Sequence, residues 1–420
     1  MTGNLRKTTP YLATIEFGAV VGLVCLSLIT DRFLPWTVVV IFIFLLIRWL
    51  ALGQVSRRTP ADLSILALVL MLPVTLGITI LPTVTRTQVL RLLVGIGLFY
   101  ATVNWVISRS RLHLLATGMV LVGLFLALSA PFMVDFSVAW PLGKLPVVPP
   151  SSYETFFLVA KDSVHPNVLA GNISILWPIP LALLVFNWKG QNRRLNGLYI
   201  LALLCMAIVL FLTQSRGAWL ACGSALLLLA ILRWRWGWLL LLPAIGGIGL
   251  IVYLQGPANF LNRLSSGANI EGLPGRLEIW TRAIYMIRDF PFTGIGMGSY
   301  GSIADLLYPF YLAQSGKILH AHNLFLQIGV DLGLPGLIAW LSILFTVVFC
   351  AWKLYRSSSN DWSRGLGVGL LGSQLALIVH GMTDSVTWGM VKPAVIVWAI
   401  WGLTLVGWQF YSKDQAEWSE

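Results

Sequence analysis

The chain is crowded with long uninterrupted apolar runs. An α-helix needs about 20 such residues to cross a hydrocarbon core of about 30 Å. Hydropathy predicts about twelve spans, near residues 11–30, 34–52, 62–82, 88–107, 112–132, 167–187, 195–212, 217–232, 237–254, 323–352, 366–386 and 393–411. Soluble domains carry roughly 25% charged residues, whereas this chain carries 10%. A transmembrane barrel would alternate apolar and polar residues in segments of about ten, and these runs do not alternate. The expected fold is an all-α polytopic membrane protein, a single integral membrane domain over residues 1–420.

The first run, Tyr11 to Thr30, is as long as a span and ends LSLITDRF, without a small-x-small cleavage signal. It reads as the first transmembrane helix. Lys and Arg gather at alternate ends of the runs: Arg6/Lys7, Arg48, Arg57/Arg58, Arg109/Arg111, Lys189/Arg193/Arg194, Arg233/Arg235, Lys353/Arg356/Arg364 and Lys413. The positive-inside rule makes that face cytoplasmic, with both termini inside. Two long segments then fall on the outer face, 133–166 and 255–321. The four cysteines, Cys25, Cys205, Cys222 and Cys350, are scattered in or beside apolar runs. They read as small buried hydrophobes without disulfide or metal spacing.

Within the larger outer segment, Leu277, Trp280, Ile284 and Ile287 follow a helical stripe. A surface helix is predicted over Gly275–Asp289, ended by Pro291. Gly294-x-Gly296-x-Gly298 then permits unusual backbone angles. It lacks the strand-then-helix context of a dinucleotide site. The tenth span is predicted to break at Gly333-Leu-Pro-Gly336, where Gly and Pro interrupt a helix.

Three polar groups stand at the outer ends of apolar runs. Arg216, in LTQSRGAWLA, lies between two spans. It is either a side chain reaching to the headgroups or an anion-binding fork at a helix start. Arg276 opens the loop helix and either pairs with an acid such as Glu278 or supplies a second guanidinium. His322 begins the tenth span within HAHNLFLQIGVDLGLPG (His320–Gly336). Histidine changes charge near neutral pH, so it suits a general base for a hydroxyl nucleophile. Asn323 is placed to fix its tautomer or bind a substrate hydroxyl. A zinc site on His320-x-His322 lacks a third ligand by spacing, and no Asp-x-Asp pair appears, so no metal and no cofactor are expected.

These residues resemble the O-antigen ligase and O-antigen polymerase superfamily of bacterial envelope proteins. The ligase pattern is His, then Asn, Ser or Gln, nine residues, Gly, two residues, then Gly, Thr or Tyr; His322, Asn323, Gly333 and Gly336 fit it. Ser215–Ala221 resembles the family's span-edge arginine motif. Arg276-x3-Trp280, followed by Pro291-x2-Gly294-x-Gly296, resembles its large periplasmic loop. The resemblance runs over roughly Asn167 to Lys392. It implies a GT-C-like fold of about 12 transmembrane helices with a large, partly helical periplasmic loop. It implies a metal-independent glycosyltransferase at the periplasmic face of the bacterial inner membrane. The donor is an undecaprenyl-diphosphate-linked glycan, and the acceptor lipid A-core or another glycan. The bilayer is a partner and nucleic acid is not. By the same resemblance His322 activates the acceptor hydroxyl, and Arg216 and Arg276 hold the pyrophosphate. Arg86, after the third span, is a third cation candidate without a motif match.

The alternatives are a polysaccharide polymerase, which differs in its acceptor, and a bicarbonate or other anion transporter, a label given to some superfamily members in photosynthetic bacteria. A transporter built from related halves would place broken helices around a midplane site. Here the polar groups gather at one face.

Overall fold

The architecture is that of a computed structural model, describing residues 2–134, 136, 164–256, 273–311, 318–358, 360–388 and 394–416. Among the described residues there are helices and no strand. In chain order they are α1 (Thr2–Ile29), α2 (Leu34–Leu52), α3 (Asp62–Ile78), α4 (Pro82–Trp105), α5 (Arg109–Met133), α6 (Pro166–Leu176), α7 (Pro178–Asn187), α8 (Arg193–Leu212), α9 (Arg216–Arg233), α10 (Leu241–Gln255), α11 (Leu273–Asp289), α12 (Tyr300–Leu307), α13 (Leu324–Ser357), α14 (Asp361–Gly381) and α15 (Val395–Ala416). Ten helical segments among the described residues are long and apolar enough to cross a bilayer, α6 and α7 counting as one, and α3 and α15 are shorter apolar helices. Each of the twelve predicted spans thus has a helix. Large apolar side chains such as Leu63, Leu70, Phe125 and Phe345 project outward from the bundle, as lipid-facing positions must.

The bundle packs around α14, whose face is nearly all buried. Its glycines let backbones approach closely, as in other helix pairs within membranes. A Cβ on Gly369 would lie 2.9 Å from Ile179 Cα of α7, and one on Gly367 would lie 2.6 Å from the Tyr355 amide of α13. At the end of the bundle rich in Lys and Arg, Glu16 of α1 accepts from Arg48 of α2 and from Asn104 of α4. A buried charge needs such pairing.

The predicted break in the tenth span is present in α13. Gly333 has φ 68°, outside the helical region. Pro335 has no N–H to offer, and the orphaned Asp331 carbonyl is reached instead by Thr75 Oγ1 of α3 at 3.4 Å. The Leu334 N–H donates to Pro291 O at 2.7 Å, and Val330 O accepts from Ile295 N at 2.8 Å. The 291–295 segment therefore satisfies the peptide groups that the break releases, as a low-dielectric setting demands. Gly294 and Gly333 face each other there, both at positive φ, and a Cβ on either would meet backbone atoms within 3 Å.

Most of 133–166, and residues 257–272 and 312–317 of the larger segment, lie outside the described residues. The predicted loop helix exists as α11. Its buried seam is Ile279, Ala283 and Met286, packed on Ile295, Tyr300 and Ile303. Trp280 and Ile287 pack against that cluster, while Leu277 and Ile284 are exposed. A periodic stripe marks apolar positions without saying which cover the core and which face outward. The cysteines are all free, but only Cys350 is buried, and Cys25 is exposed.

Candidate functional site

The site is organised by a short turn, His380-Gly-Met-Thr-Asp-Ser385, at the end of α14. The His380 carbonyl accepts from the Thr383 and Asp384 amides and from Thr383 Oγ1, which folds the chain back on itself. Arg276, Asn323 and His322 reach this turn, and Arg216 opens the helix whose next residue packs against it. Arg276, in the first turns of α11, donates from Nη1 to Thr383 O at 2.9 Å. Glu278 is engaged by Arg282 and by the Tyr311 amide. Arg216 is exposed and opens α9. The next residue, Gly217, lies so close to the turn that a Cβ there would collide with Thr383 Oγ1. Trp219 Nε1 donates to Leu210 O at 2.8 Å, tying the two helices that flank the Arg216 corner.

Asn323 caps α13. Its Oδ1 accepts from the Phe325 and Leu326 amides, and its Nδ2 donates to Met382 O at 3.2 Å. This is an N-cap geometry, so Asn323 fixes the helix start against the turn. His322 Nδ1 lies 3.7 Å from Asp384 Oδ1, within ion-pair reach and beyond the length of a hydrogen bond. His320 Nδ1 lies 4.0 Å from the same oxygen and 3.1 Å from Ser385 Oγ. The two imidazoles stand 4.0 Å apart between centroids. His165, at the start of α6, adds to the field at His320.

Asp384 is 5% exposed. Burial alone would raise its pKa, but His322, His320 and His380 together hold it well below the usual carboxylate range. Burial and the neighbouring His322 push the His320 pKa down to about 4. The turn thus holds a buried carboxylate ringed by histidines, with the Arg276 guanidinium beside it.

Backbone strain marks the same place. Among the described non-glycine residues, only Gln214 and His322 have positive φ, at 52° and 46°. That region is uncommon for residues with a Cβ and gathers at functional sites. One strained residue comes two before Arg216, and the other is the histidine itself.

A buried network steadies the loop that carries His322. Asp331, fully buried, accepts from Gln327 Nε2 at 2.9 Å, Trp388 Nε1 at 2.8 Å and the Gly298 amide at 3.2 Å. Gln327 Oε1 accepts in turn from the Ala321 amide at 2.7 Å. The aspartate of the His320–Gly336 stretch therefore supports the structure from behind the histidine. Arg86 sits exposed in the first turns of α4; among the described residues it makes no hydrogen bond or ion pair with the His322 group.

Sequence reasoning missed Asp384, His380 and Ser385. A signal was present: His380 and Asp384 both fall inside the predicted span 366–386, and ionisable groups at membrane depth are costly and tend to be functional. The lack of a third ligand beside His320 and His322 is corrected as well, since Asp384 joins them across the fold.

The helices and this polar cluster define an all-α polytopic membrane protein with a histidine-bearing polar site at one end of the bundle. Residues 201–341 match the model of the family described as O-antigen ligase. That stretch is about a third of the chain and carries Arg216, Arg276, His322, Asn323 and the Gly333–Gly336 break. The resemblance to the O-antigen ligase superfamily is borne out there. No curated protein matches the chain.

Proposed function

We propose that the protein is a membrane glycosyltransferase of the O-antigen ligase type, moving a glycan from an undecaprenyl-diphosphate carrier to an acceptor hydroxyl. The broad class is supported by the family match over residues 201–341. The observation that carries the mechanism is the meeting of His322, Arg276 and Asn323 on the 380–385 turn, with Arg216 at the start of α9 one residue before Gly217, which packs on Thr383. The single integral membrane domain lies in the bacterial inner membrane with both termini cytoplasmic and the site on the periplasmic face, as the distribution of Lys and Arg supports.

In this reading the acceptor hydroxyl attacks the anomeric carbon of the donor. A bond from that carbon to the acceptor oxygen forms, and the bond to the diphosphate oxygen breaks. His322 accepts the hydroxyl proton as general base. Asp384 beside Nδ1 orients the ring and favours the imidazolium that forms, in the way an acid supports histidine in a hydrolase triad. Undecaprenyl diphosphate departs with the electron pair, and Arg216 and Arg276 stabilise its growing charge. Two guanidinium groups serve this purpose without a metal. Lipid A-core is the acceptor in a ligase; a polymerase would use the same groups on a second lipid-linked glycan.

The test is purified protein in lipid nanodiscs with a lipid-diphosphate-linked glycan and either acceptor. Transfer to lipid A-core supports the ligase, and transfer only to the second lipid-linked glycan moves the assignment to polymerase. Anion flux in vesicles without any transfer overturns the enzyme.

A further inference from the structure

We infer that His320, His322 and Asp384 form a binding site for a divalent transition-metal ion, zinc in the first place, and that the bound ion silences His322. The three side chains come from two segments far apart in sequence. Each offers one donor atom, and those atoms all lie within 4.8 Å of one another. Zinc binds imidazole nitrogen and carboxylate oxygen at about 2.0–2.2 Å, so neighbouring ligands of a tetrahedral ion stand about 3.4 Å apart. The separations from Asp384 Oδ1 are 3.7 Å to His322 and 4.0 Å to His320. Small side-chain rotations close that gap.

The donor set selects the ion. Two imidazoles and one carboxylate suit zinc or another late transition metal, whereas magnesium and calcium prefer oxygen. Three protein ligands leave a fourth position for water. The carboxylate is pre-placed, since Ser385 N donates to Asp384 Oδ1 at 2.8 Å and only 5% of the residue is exposed. Arg276 beside the turn opposes a cation there, which sets the expected affinity below that of a structural zinc.

The silencing rests on the general-base reading of His322; the binding does not. A ring coordinated to a metal has lost a lone pair, so it is a poor acceptor for the hydroxyl proton. His320 is the ligand outside the transfer chemistry, and it separates the two roles.

The experiment uses the full chain without a polyhistidine tag, in nanodiscs, titrated with zinc alone by calorimetry. One ion per chain is expected, weakened about tenfold or more by His320→Ala and by Asp384→Asn. Elution volume and thermal unfolding check that each variant is folded, and two different ligands are removed so that failure of one variant leaves the other. Zinc should also inhibit transfer reversibly in the wild type, with a chelator restoring it. His320→Ala, compared with its own zinc-free rate, should resist zinc at about tenfold higher concentration. Magnesium should do neither. No stoichiometric binding by the wild type, or unchanged binding in both variants, overturns the site. Stoichiometric binding with transfer intact at saturating zinc overturns the silencing. Transfer by His322→Ala would instead overturn the general-base reading, and calorimetry would still judge the metal site.

Discussion

His322 Nδ1 stands 3.7 Å from Asp384 Oδ1, although one residue opens α13 and the other closes the turn after α14. This pairing gives His322 a defined orientation. It also makes its neighbour His320, two residues away, the natural control. His322→Ala is expected to lower transfer by about 10²–10⁴-fold while donor binding stays largely intact. His320→Ala, in metal-free buffer, should fall little. Equal losses in the two variants, measured side by side, would remove the general base from His322.

Asp384→Asn keeps the shape of the turn and removes its charge. Transfer should fall by about 10²-fold or more. If Asp384 acts by orienting His322, the same substitution made in a His322→Ala background should cost little further activity. A full additional loss in that background would make Asp384 a purely structural residue.

Arg216→Lys keeps the charge but loses the planar fork that matches a phosphate. We expect about tenfold or greater loss in kcat/KM for the lipid-linked donor, and a similar loss for Arg276→Lys, which also gives up its bond to Thr383 O. Protein in the membrane must be equal between samples. Normal turnover by either lysine variant would set aside bidentate binding at that residue.

Gly333→Ala is expected to destabilise the protein by about 1–3 kcal/mol. The residue has φ 68°, and a Cβ would lie 2.8 Å from Phe292 C and Pro291 O. Thermal unfolding in detergent measures this. An unchanged transition would show that the break relaxes without cost.

Tyr308→Phe tests the outer helices. Tyr308 donates to Asp289 Oδ2 at 2.7 Å, and this hydrogen bond lowers the Asp289 pKa. A carboxylate with a lowered pKa in the fold stabilises above its unfolded pKa of about 3.9, and that stability is lost as pH falls through the folded value. The wild type should therefore be more stable than the variant at neutral pH, and the difference should vanish in acid. A difference constant from pH 3 to 7, on the order of that range, would assign the loss to packing.

The spans, the break at Gly333 and the loop helix were legible because each rests on local chemistry: apolar length, Gly-Pro punctuation and helical period. The site was legible in part. His322, Arg216 and Arg276 are costly groups beside apolar runs, and that cost is visible in one dimension. Asp384 was harder to see because its role depends on which turn faces the histidine, a matter of packing between α13 and α14. The buried seam of α11 escaped for the same reason: Ile279 and Met286 are no more apolar than Ile284, and only the position of α12 chooses between them.

Gly294 and Gly333 have a consequence for exchange between related chains. Their backbones lock together so closely that neither segment has room for a side chain. Residues 291–298 and 330–336 therefore form one packed unit. A chimera that takes the outer loop from a relative but keeps its own α13 should assemble poorly, and one that takes both should assemble well.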